Sequence, residues 1–158
     1  MLAAAVTEGW SDLFVAVAGA SAALAGLVFV AVSINVERIL GYPGLPERGL
    51  VTVLLLIGVL IVALIALVPD QSRTALGAEL LGVSLALVAA VATLTLVPHE
   101  RSHRGSALLV ALAGSVPLAA GAVVVLAGGS LGVLLGAIVV TLLGAVLNAW
   151  VLLVEILR

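Results

Sequence analysis

The stretch "LVTVLLLIGVLIVALIALV", residues 50–68, contains no charged residue and one hydroxyl. About 20 apolar residues, each rising 1.5 Å along a helix, cross the hydrocarbon core of a bilayer. A run of this length decides the fold, because lipid offers no hydrogen bonds and each backbone N–H and C=O has to be paired within its own helix. The remainder of the chain has the same character. Of 158 residues 65% are hydrophobic and 9% charged, and the mean hydropathy is +1.46, well beyond the roughly half-apolar usage of water-soluble domains.

Breaks in hydropathy divide the sequence into five runs, at about 13–34, 50–68, 75–97, 106–127 and 131–153. The separators are "ERILGYPGLPERG", "PDQSR", "PHERSHRG" and "GGS", all turn-forming. None is long enough for a soluble domain. The expectation is an all-α, five-helix transmembrane bundle forming one domain over residues 1–158, with the lipid bilayer as its first partner.

Short cytoplasmic loops carry an excess of arginine and lysine. With five spans, Arg38, Arg48, Arg101, Arg104 and Arg158 fall on one side and Arg73 alone on the other. This places the N-terminus outside and the C-terminus in the cytoplasm. The first run has no basic segment before it and, at about 22 residues, is longer than the apolar part of a cleavable signal peptide. Trp10 and Trp150 are expected near the two interfaces. All six basic residues are arginine and Ala, Val, Leu and Gly dominate, a bias of GC-rich bacterial genomes that points to a bacterial inner membrane.

Composition also excludes several function classes. The chain has no cysteine, which removes disulfides, thiolate metal sites and cysteine nucleophiles. A net charge of −2 gives no reason to expect nucleic acid.

Between helices in lipid, apolar contact brings little gain over apolar contact with lipid tails, so association depends on small residues that let backbones approach. The first run offers Gly19, Ala23 and Gly26 within "GASAALAG". The fifth offers Gly128, Gly132 and Gly136 at a spacing of four, with Gly144 further along. These residues are candidates for packing within the bundle or for a homo-oligomer or partner interface. Pro117 removes one backbone donor from the fourth run and frees the carbonyl of Ala113, a kink of the kind membrane helices tolerate.

Ionisable and polar groups inside a membrane are the natural functional candidates. Glu79 lies deepest among the charges, about 10 Å from the middle of its helix at 1.5 Å per residue, with Arg73 as the expected partner. Ser21, Ser84, Ser115 and Thr141 are near the midplane, and Ser115 and Thr141 would line an oligomeric channel for a small solute or ion. Asn35 closes the first run, while Asn148 and Glu155 belong to the fifth. Asn148 is expected to meet Ser33 and Asn35 in an interhelical clasp.

The segment "VPHERSHRG", residues 97–105, holds His99, Glu100 and His103 in the H-E-x-x-H spacing of zinc hydrolases. Pro98 suits a first helical position, which would put both histidines on one face. The simpler account makes Glu100 a first-turn acid favoured by the helix dipole. Arg101 and Arg104 then serve only to fix topology. Zinc chemistry would need a third ligand and an open position for water, with Glu37, Glu47 or Glu155 on the same side. The residues thus favour a non-enzymatic protein without a cofactor, with a metal site at His99 and His103 as the alternative.

Three passages, "GASAALAGLVFVAVSINVERIL", "LVPDQS" and "LNAWVLLVEILR", resemble small integral membrane proteins of actinobacteria, some of which are called modulators of FtsH protease. That resemblance implies an accessory partner of a membrane protease and assigns no role to any residue.

Overall fold

The computed structural model of the chain describes residues 7, 9–96 and 104–157, with the backbone alone at 104–111, 156 and 157. Six helices follow one another: α1 (Ser11–Ile34), α2 (Val36–Gly41), α3 (Leu45–Ala66), α4 (Arg73–Leu96), α5 (Arg104–Leu126) and α6 (Leu131–Leu157). No strand occurs among the described residues. Four of the helices, α1, α3, α4 and α6, are long and apolar enough to cross a membrane, and α5 contributes a shorter apolar stretch over Leu112–Leu126.

The local sequence explains the helix ends. α3 begins five residues before the charge-free run, inside the separator. Gly44 precedes it at φ 87°, Pro46 lies in its first positions and Glu47 occupies the first turn, where a fixed φ and a negative charge both favour a helix start. The separator also forms the short α2, which periodicity did not reveal. Ser72 caps α4 by accepting the Ala75 N–H at 3.2 Å. At the α5–α6 turn the Gly128 N–H donates to Val125 O (3.1 Å) and the Gly129 N–H to Val124 O (2.8 Å). This is a Schellman closure, and it requires the positive φ of 90° at Gly128. Ser130 then starts α6 by accepting the Gly132 N–H.

α3, α4, α5 and α6 form a closed ring, each packed against the next and α6 returning to α3, while α1 leans on α3 from outside. α3 is the hub. In its apolar window 56% of residues are buried, against 11% for α1. Phe14, Leu55, Leu80, Leu118, Leu134 and Ile138 are fully enclosed in the main core. A smaller cluster of Ile39, Leu45 and Leu152 pins α2 to the end of the bundle where α3 starts and α6 finishes.

Glycine sets the closest approaches. A Cβ at Gly77 of α4 would lie 2.7 Å from Leu126 Cα of α5, and one at Gly121 of α5 would lie 3.2 Å from Leu134 Cα of α6. A Cβ at Gly114 would meet Leu55 at 2.9 Å, and one at Gly144 would meet Gly114 Cα at 3.3 Å. α5, the helix with the internal Pro117, is therefore held on both flanks by bare backbone.

Gly44 and Gly128 act through conformation alone, since a Cβ at either would touch nothing within 4 Å. Gly44→Ala and Gly128→Ala should each lower stability by about 1 kcal/mol, the cost of a side chain in the left-handed region. Gly41→Ala, equally open but without positive φ, should leave it unchanged. Reversible unfolding in mixed micelles measures all three.

Candidate functional site

Most of the buried polar groups sit at helix contacts, and the best defined of them joins α3 to α6. Asn148 is 5% exposed. Its Nδ2 donates to Thr52 Oγ1 at 2.8 Å and to the Arg48 carbonyl at 3.0 Å, and the Thr52 hydroxyl donates to that same carbonyl at 3.0 Å. An amide in an apolar helix is costly without partners, and here both of its N–H groups are satisfied across the interface. The expected clasp exists, but with a different partner. Ser33 and Asn35 bond back to their own helix instead, Ser33 Oγ to Phe29 O and Asn35 Nδ2 to Ala31 O, each at 2.8 Å. The reason is geometric: Asn35 ends α1 at the break into α2, whereas Thr52 faces Asn148 from the hub helix. Thr52 is fully buried and was missed as a site residue, although it is the one hydroxyl in the run that decides the fold.

A second polar contact closes the opposite end. Arg73 Nη1 donates to Gly129 O at 2.7 Å, linking the start of α4 to the α5–α6 turn. Glu79 is exposed and does not pair with Arg73; it accepts from Gln71 Nε2 at 2.6 Å. The guanidinium is drawn away because the Schellman turn presents a carbonyl at the ring's edge. Gln71 Oε1 remains buried without a donor among the described residues, as does Glu47 Oε2 in the first turn of α3.

Ser21, Ser84, Ser115 and Thr141 are each at most 1% exposed. Thr141 donates to Ala137 O at 3.0 Å, while Ser21 and Ser84 hydroxyls have no partner among the described residues. Ser115 and Thr141 thus lie inside the chain, away from the outer surface that a pore between several copies would use.

The small-residue candidates divide. Gly144 packs on Gly114, and a Cβ at Gly132 would lie 3.9 Å from the Trp10 ring. Gly128 lies in the turn before α6, not in the helix. A Cβ at Gly19, Gly26 or Gly136 would meet nothing within 4 Å among the described residues, and Ala23 is exposed. At 100° per residue, Gly19, Ala23 and Gly26 lie opposite the Phe14, Ser21 and Val28 face that meets the bundle. Glu155 is exposed near the end of α6. His99, Glu100 and His103 lie outside the described residues. Among the described ones, no three His, Cys, Asp or Glu side chains gather in a way that would hold a metal.

No protein-family model, curated protein or solved structure matches the chain.

A double-mutant cycle of Asn148→Ala with Thr52→Val should give a coupling of about 0.6–1.7 kcal/mol, the range for interhelical hydrogen bonds in membranes. Asn148→Ala with Ser33→Ala should give none. Arg73→Ala should cost about 1.5 kcal/mol, as expected for a hydrogen bond from a charged donor, and Glu79→Gln much less. Steric trapping or denaturant titration in bicelles reads both effects.

Proposed function

We propose that the chain is a bacterial inner-membrane protein that crosses the bilayer five times, N-terminus outside and C-terminus in the cytoplasm. It performs no chemistry of its own. It acts by lateral association, either with further copies of itself or as an accessory subunit of a membrane complex, the role implied by its resemblance to proteins called modulators of a membrane protease. In keeping with this threading, Arg38, Arg48 and the start of α5 at Arg104 share the α2 end of the bundle, and Arg73 is at the other.

The observation that carries the reading is the outward face of α1. A Cβ at Gly19 or Gly26 would meet nothing within 4 Å among the described residues, and Ala20, Ala22 and Ala23 are exposed; flat small-residue faces are what lets one membrane helix approach another. α1 is also the helix least enclosed by the bundle, which leaves that face open along most of its length.

The absence of cysteine makes the test direct, since a single introduced thiol reports one position. Ala23→Cys in native membranes should give a covalent dimer or a fixed adduct with a partner protein on treatment with a short bismaleimide. Ala25→Cys, turned toward the bundle, should give neither. Native mass spectrometry from lipid nanodiscs should find the same assembly. Solitary monomers in both experiments, with no partner recovered, would overturn the proposal.

A further inference from the structure

We draw no further inference here: the strongest candidate, the apolar cleft between the C-terminal parts of α1 and α6 lined by Val28, Ala31, Val32, Ala149, Leu152 and Leu153, is an open apolar surface, and nothing in the structure shows what covers it.

Discussion

Inside a bilayer a leucine gains little by leaving lipid for protein, so a bundle with this composition has to be held by contacts that lipid cannot imitate. Two kinds are present. One is backbone meeting backbone at glycine, where Gly77 admits Leu126, Gly121 admits Leu134 and Gly144 admits Gly114. The other is a polar group satisfied across an interface, as with Asn148 on Thr52 and Arg73 on the Gly129 carbonyl. The first kind runs along α4, α5 and α6, and the second ties the two ends of the ring. α1 packs on the outer side of α3, where Gly49 faces Val32.

The hub position of α3 follows from the same constraint. It is the most apolar of the long helices, and it combines Gly49 and Gly58, both buried, with Thr52 as a hydroxyl anchor. Such a helix can accept neighbours on several sides. α1, with its buried Ser21 hydroxyl lacking a partner among the described residues and its small residues turned outward, offers less to the bundle and more to whatever lies beside it.

Much of the architecture was legible in the sequence, because uninterrupted apolar length translates directly into helices. The runs at 75–97, 106–127 and 131–153 match α4, α5 and α6 to within a few residues. α2 and the first turn of α3 were not legible, for "ERILGYPGLPERG" reads as a linker until Ile39 and Leu45 are seen buried against Leu152. Partners were harder still. A spacing of four identifies glycines on one helix face but not which way that face points, so Gly136 and Gly144 read alike, although among the described residues only a Cβ at Gly144 would meet a neighbour within 4 Å. Asn148 was recognisable as a residue in need of a partner, yet the choice of Thr52 over Asn35 depends on which helix lies beside it, and sequence spacing carries no such information.

Bare backbone contact, more than apolar burial, holds α5 between α4 and α6. A glycine-to-alanine scan by reversible unfolding in lipid bilayers tests this most directly, with each loss of stability set against the clearance available to the new Cβ. Gly77→Ala and Gly121→Ala, which press on backbone, should lose the most, about 1–3 kcal/mol as for other overpacked sites. Gly58→Ala and Gly114→Ala, which press on the tips of Leu87 and Leu55, should lose less, and Gly82→Ala, which meets nothing, should lose nothing. Equal effects at all five positions, or a stable Gly77→Ala variant, would contradict the account.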